Sequence, residues 1–277
     1  MVASYDWVRI ETRMPPQDRL FTISVTVISR MLILRDHLLG RMKKIRSAAT
    51  SGARIERHVF SSRGLDAVFV QPSESTAQAA LLICHGIGET VDHWTAAQTL
   101  LARHGVASLV FDYSGYGRSP GPIDWRRCEE NAVDAFDDLR SLTPGLPASI
   151  LGFSMGGGIA AAVAGHIPAE RLILCSAFTS YREAARVLGV PRALAATLPA
   201  IWDGAISLRS CAVPVLVVHC DKDRAFPTSM AYRLAAYSNP RAELVIVPDQ
   251  AHNEAFYRPS LTYWIHVLAR LSPTPPD

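Results

Sequence analysis

Gly152-Phe153-Ser154-Met155-Gly156 stands between an apolar run, 148–153, and a stretch rich in Gly and Ala, 156–164. A serine at a sharp turn from strand to helix holds its hydroxyl clear of the backbone. Gly two residues to either side keeps neighbouring main chain from colliding. A helix that starts there aims its first N–H groups, and the positive end of its dipole, at the place where negative charge would develop. The pentapeptide alone is a weak signal; between a buried strand and a small-residue helix it is a strong one.

Outward from this turn the same alternation repeats. Strands are predicted at 55–61, 66–71, 79–85, 107–112, 148–153, 171–176, 213–219 and 242–247, the first two forming an antiparallel hairpin around Arg63-Gly64. Helices are predicted at 93–104, 126–142, 155–166, 228–238 and 254–271. Strands alternating with helices give an α/β protein whose mainly parallel sheet is covered on both faces. Leu81-Leu82-Ile83-Cys84 and Val215-Leu216-Val217-Val218 are apolar throughout, as central strands of such a sheet require. The segment 177–212 breaks the rhythm, with helical patches at 182–188 and 192–197, and reads as a short cap over the carboxyl edge of the sheet.

Two further motifs stand at strand ends. His85-Gly86-Ile87-Gly88 follows the strand 79–84, and Phe111-Asp112-Tyr113-Ser114-Gly115-Tyr116-Gly117-Arg118-Ser119 ends the next. With these and the Ser154 turn, residues 55–271 resemble the α/β-hydrolase superfamily, particularly small-lid members such as serine-aminopeptidase-like hydrolases and protein depalmitoylases. The resemblance implies an eight-stranded, mostly parallel sheet and a site in the chain order nucleophile, acid, histidine. Ser154 takes the nucleophile's place. Family members read Gly-x-x-Asp-x-x-x-Pro after the cap; here Cys220 stands where Gly does, with Asp223 and Pro227 in register. Asp223 is therefore the expected acid and Asp221 the alternative. His252, in the loop before the final helix, is the expected base, with one ring nitrogen oriented by Asp223 and the other facing Ser154.

The backbone N–H groups of Ile87 and Met155 are expected to form an oxyanion hole. His85 resembles the family's structural histidine, and Asp112 and Arg118 are read as loop bracing. His37, His58, His93, His104, His166 and His266 lie outside the expected loops, and His219, at a strand end, reads as structural. A serine at 154 also argues against the dehalogenase and epoxide-hydrolase chemistries that resembling proteins run with an aspartate nucleophile.

Composition excludes several classes. Of 277 residues, 49% are apolar and 19% charged, enough to bury a large core and too few charges for a disordered chain. A net charge of +3 is too mild for a dedicated nucleic-acid binder. No G-x-x-x-x-G-K-[S/T] loop occurs, no G-x-G-x-x-G follows the strand 79–84, and no metal-ligand spacing is present. Neither a cofactor nor a metal is expected. The five cysteines, Cys84, Cys128, Cys175, Cys211 and Cys220, show no C-x-x-C pairing and fit a reducing, cytosolic setting.

The first 53 residues read as an extension to a hydrolase-like domain at 54–277. Residues 1–57 carry eleven Arg/Lys against five Asp/Glu, while the remainder carries 17 against 20. No secretory signal is read, since apolar sequence begins only at Leu20. Ten uncharged residues between Arg19 and Arg30 are half of what a membrane-spanning helix needs. Residues 21–27 alternate apolar and hydroxyl side chains, predicting a strand. Met31, Leu34, Leu38, Met42 and Ile45 make a helical stripe among basic residues, so 31–46 could touch an anionic membrane surface; packing on the main domain is the favoured reading.

The expected activity is cleavage of a carboxyl ester or thioester of a small-molecule acyl substrate through an acyl-enzyme on Ser154. Leu188, Leu194, Leu198 and Trp202 of the cap are candidates for an apolar acyl site. Acyl transfer, peptide or amide cleavage by the same triad, and a catalytically silent binding module are the alternatives. The sequence leaves the oligomeric state open.

Overall fold

Apolar runs of four to eight residues, too short for helices, become a nine-stranded sheet in the computed structural model, which describes residues 18, 19, 21, 22, 25, 48–50, 52–60, 63–238 and 242–271. The strands are β1 (Ala48–Thr50), β2 (Ala53–Phe60), β3 (Leu65–Pro72), β4 (Ala79–Cys84), β5 (Val106–Phe111), β6 (Ala148–Phe153), β7 (Leu172–Cys175), β8 (Val215–Cys220) and β9 (Glu243–Val247). Their order is β1-β2-β3-β5-β4-β6-β7-β8-β9. The pairs from β1 to β5 are antiparallel and all others are parallel. Each of the eight expected strands is present with ends within two residues of the expectation. The short edge strand β1 is additional and places the start of the sheet before residue 53.

Helices α1 (Val91–Arg103), α2 (Trp125–Leu142), α3 (Met155–Val163), α4 (Tyr181–Val187), α5 (Arg192–Thr197), α6 (Gly204–Arg209), α7 (Thr228–Tyr237), α8 (Glu254–Tyr257) and α9 (Leu261–Leu271) surround the sheet. Alternate residues of the central strands feed two separate cores. Leu82, Cys84, Ile150, Leu174 and Val217 pack with α2, α3 and α7. Leu81, Ile83, Leu151, Ile173 and Val218 pack against α1, α8 and α9 on the other face. This period of two, with both sets buried, is why the runs are apolar throughout.

Three expectations need correction. The stretch 254–271 is two helices, because Pro259 lacks an N–H and forces its predecessor out of helical geometry; Arg258 sits at φ −138, ψ 63. The cap carries a third helix, α6, started by Asp203, whose carboxylate accepts from the N–H groups of Ala205 and Ile206. Within 21–27 the described residues Phe21, Thr22 and Val25 are helical and not extended. Phe21 and Val25 lie one turn apart and are both buried in the core shared with α2 and the cap, so tertiary packing overrides the alternating pattern. The stripe at 31–46 and its membrane contact lie outside the described residues. No helix among the described residues is long and apolar enough to cross a membrane.

The order of the strands sets the place of the site. From β4 the chain passes through α1 to β5 on one side, then through α2 to β6 on the other, so the carboxyl ends of β4 and β6 flank a crevice. Removing the buried ring of Phe21 is expected to destabilise the protein by about 3 kcal/mol, since it leaves a void beside the cap. Urea unfolding of Phe21→Ala should show this loss in one cooperative transition; an unchanged midpoint would place the ring outside the core.

Candidate active site

At the end of β6 the main chain turns at Ser154 with φ 52 and ψ −115, a conformation that L-residues rarely adopt and that costs on the order of 1–3 kcal/mol. Two glycines make the turn sterically feasible. A Cβ at Gly152 would overlap the carbonyl of Gly156, and one at Gly156 would overlap the carbonyl of Cys84 on the neighbouring strand. Ser154 N–H donates to the Cys175 carbonyl at 3.0 Å, tying the turn to β7. Met155 opens α3, so its own N–H has no carbonyl one turn earlier.

Asp223 and His252 arrive from the next two strand ends, which parallel pairing aligns through Cys220 and Val247. Asp223 Oδ2 lies 2.6 Å from His252 Nδ1, and Oδ1 accepts from the N–H groups of Ala225 and Phe226 at 2.8 and 2.9 Å. Burial pushes this carboxyl up, but the imidazole and the backbone donor outweigh it and hold the group below the ordinary carboxylate value. Asp221, the alternative acid, is exposed. Cys220 ends β8 buried and without a positive φ, so the turn does not need the glycine that family members place there. The His252 ring packs on Phe153 and Phe226, with centroids 5.0 and 5.5 Å away, and Phe153 directly precedes Ser154. Among the described residues no hydrogen bond joins Ser154 Oγ to the imidazole, a contact that commonly tightens only around substrate.

His219 and His85 are structural here. His219 is fully buried under Asp223 and donates from Nε2 to the Phe226 carbonyl at 3.0 Å; burial lowers its pKa. His85 is fully buried, with Nδ1 2.9 Å from the Gly86 carbonyl, and burial pushes its pKa down to about 3. Glu89 closes the same loop by accepting from Gly86 N–H and from the Trp94 indole, both at 2.9 Å. Ile87 is therefore presented by a braced loop beside the Ser154 turn. Asp112 lies 3.7 Å from His85 Nε2 and accepts from Val91 N–H, fastening β5 to the start of α1; Arg118 is exposed.

A cavity of about 340 Å3 opens over Ser154, within the range of small-molecule sites. Ile87 and Met155 line it beside the serine, and Leu188, Leu194 and Leu198 of the cap cover it. Trp202 does not: its ring turns into the core against Phe21 and Tyr181, and its N–H donates to Glu129 at 2.9 Å. Sequence reasoning missed Phe178, Tyr181, Val190 and Phe226 in the wall, which are ordinary core types locally. Val25 also lines the cavity, although it lies far from every motif in sequence. The buried brace Glu89 was missed too, although it stands beside His85-Gly86-Ile87-Gly88.

The family model described as serine aminopeptidase, S33, matches residues 75–206. An uncharacterized protein of Mycobacterium tuberculosis is 32% identical over 183 residues, which cover 63% of this chain and 63% of that protein. Lysophosphatidylserine lipase ABHD12 of Gallus gallus is 31% identical over 132 residues, 45% of this chain and 35% of that protein. The match thus spans less than two thirds of the length of these curated relatives. The esterase domain of a Rhodothermus marinus protein superposes with a TM-score of 0.60 at 20% identity, covering 78% of this chain and 98% of that one. Est1E of Butyrivibrio proteoclasticus, solved with ferulic acid, gives 0.58 at 21% identity over 70% and 90%. These neighbours give the chain the α/β-hydrolase fold.

Burial raises the Asp112 carboxyl from its ordinary 3.8 to about 8. A group bound more tightly to its proton in the folded state stabilises the fold at low pH, and that contribution is lost as pH rises through about 8. Asp112→Asn keeps the acceptor for Val91 N–H but cannot ionise. In urea titrations, its stability relative to the parent protein should improve by more than about 1 kcal/mol from acidic to mildly alkaline pH. A pH-independent difference would show that the carboxyl does not titrate abnormally.

Proposed function

We propose that the protein is a serine hydrolase that cleaves a carboxyl ester or thioester bearing an apolar acyl chain. The observation that carries this reading is the buried Asp223 carboxylate bonded to a histidine whose ring packs on Phe153, immediately before the strained Ser154. In this mechanism His252 Nε2 takes the hydroxyl proton as Ser154 Oγ attacks the carbonyl carbon. Asp223 holds Nδ1–H toward itself and stabilises the imidazolium. The N–H groups of Met155 and Ile87 receive the oxyanion, aided by the amino end of α3. His252 then gives its proton to the departing alcohol or thiol. A water attacks the acyl-enzyme, losing a proton to His252 and restoring Ser154.

The cavity wall supports this choice of substrate class. Among the described residues its lining holds no charged side chain to anchor a peptide terminus, while an acyl chain loses only water by entering. The name of the lysophosphatidylserine lipase relatives specifies a single-chain lipid ester, in keeping with that wall. The hydrolytic unit is taken as 54–277, with its cap at 177–212, completed by β1, by Ala53 of β2 and by Phe21 and Val25, which share its sheet and core. A cytosolic location is part of the proposal, supported by the five buried thiols; contact of 31–46 with a membrane surface rests on pattern alone.

A fluorophosphonate probe is expected to label the parent protein and not Ser154→Ala. Hydrolysis of p-nitrophenyl acyl esters should fall in kcat by roughly 10^4-fold for Asp223→Asn and by about 10^6-fold for His252→Ala. Labelling of neither the parent nor Ser154→Ala, with both folded, would end the enzymatic reading. Faster product formation with an added alcohol than with water would point to acyl transfer.

A further inference from the structure

Asp18, Phe21 and Val25 lie about fifty residues before the matched family region begins, yet they pack beside the candidate catalytic cavity and Val25 lines it. All three are buried and helical, with the spacing of three and four that puts side chains on one face. Each has a different contact. The Asp18 carboxylate accepts from the Trp125 indole at 3.1 Å and from the Arg126 guanidinium at 2.7 Å, where α2 starts. Arg126 lies over the Trp125 ring at 4.1 Å, so the ion pair is held in one geometry. Phe21 is edge-on to Tyr181 at 5.2 Å and Trp202 at 5.5 Å, one at the first helix of the cap and the other beyond its second. Val25, one turn further, is 1% exposed and lines the cavity together with Ser154, Leu188 and Leu194.

From this geometry we infer that Val25, held in place through Phe21 and Asp18, is a fixed wall of the acyl site and sets the length of chain the site admits. The inference deepens the proposed hydrolase reading and rests on it for the identity of the ligand. The argument is steric. Leu188 and Leu194 are 61% and 53% exposed, one just past the end of α4 and the other on the short helix α5, so that side of the cavity can yield. Val25 cannot retreat, because Phe21 one turn earlier is wedged between two rings and Asp18 is pinned to α2. A larger side chain at 25 must therefore grow into the cavity, where close packing leaves no other space. A short acyl chain, ending before the wall, would not meet it.

The test uses ligand binding, which needs no turnover. In a Ser154→Ala background, saturated fatty acids from hexanoate to hexadecanoate would be titrated by displacement of a fluorescent fatty acid. Val25→Trp is expected to weaken hexadecanoate by at least about tenfold while leaving hexanoate within about twofold. Val25→Leu, a smaller intrusion that spares the fold if Trp does not, should move the cut-off in the same direction. Val25→Ala should bind the longest acids at least as well as Val25. Equal weakening of short and long acids, an unchanged length profile in the folded variants, or no fatty-acid binding by the Ser154→Ala protein would each overturn the inference. Failure of the catalytic reading would show separately, as absence of fluorophosphonate labelling in the parent protein.

Discussion

The backbone of Gly156 lies against the carbonyl of Cys84, closer than any side chain would permit, and the layout of the site depends on that approach. It lets α3 begin directly beside β4, where pairing sets Cys84 opposite Gly152. The consequence is that the loop after β4, bearing Ile87, and the turn after β6, bearing Ser154, share one edge. Strain at Ser154 is sustained because β7 holds its N–H and the surrounding helix and strands are packed without slack. Elements farther along the sheet then need only parallel register to bring Asp223 and His252 to the same edge.

Two His–Asp neighbours in this molecule show how environment separates roles. At Asp223 and His252 the carboxylate is buried but collects two backbone donors and an imidazole only part-shielded from solvent, and it stays below its ordinary pKa. At Asp112 and His85 both side chains are buried, the gap is 3.7 Å, and burial favours the uncharged form of each. A neutral pair suits a brace that must hold a loop still. A charged acceptor suits a partner that must steady an imidazolium.

The cap, together with Val25, encloses this edge in a cavity. Arg233 of α7 reaches Glu183 at 2.5 Å, and the Arg182 guanidinium donates to the Leu198 carbonyl at 2.7 Å, so the cap is fastened by polar contacts at its flanks while its apolar side faces Ser154. Phe21 supplies the apolar contact on the remaining side. Exposed pairs of this kind contribute little individually; the rings of Phe21, Tyr181 and Trp202 carry more of the attachment through burial.

Local pattern determined the strands, most helices and the Ser154 turn, because each is written in a few adjacent residues with one geometric outcome, and motif register singled out Asp223 and His252, which the fold brings within 2.6 Å of each other. Pro259 is equally legible as a helix break. Val25, Phe21 and the inward turn of Trp202 could not be read this way. The alternating pattern of 21–27 points to a strand, and contact with Tyr181, Trp202 and α2 is what favours helical backbone at Phe21, Thr22 and Val25. Sequence alone thus determined which groups could perform the chemistry, through the short-range stereochemistry of turns and strands. The tertiary structure decided what encloses them, because a cavity wall is made by surfaces distant in the chain whose shape exists only once they meet.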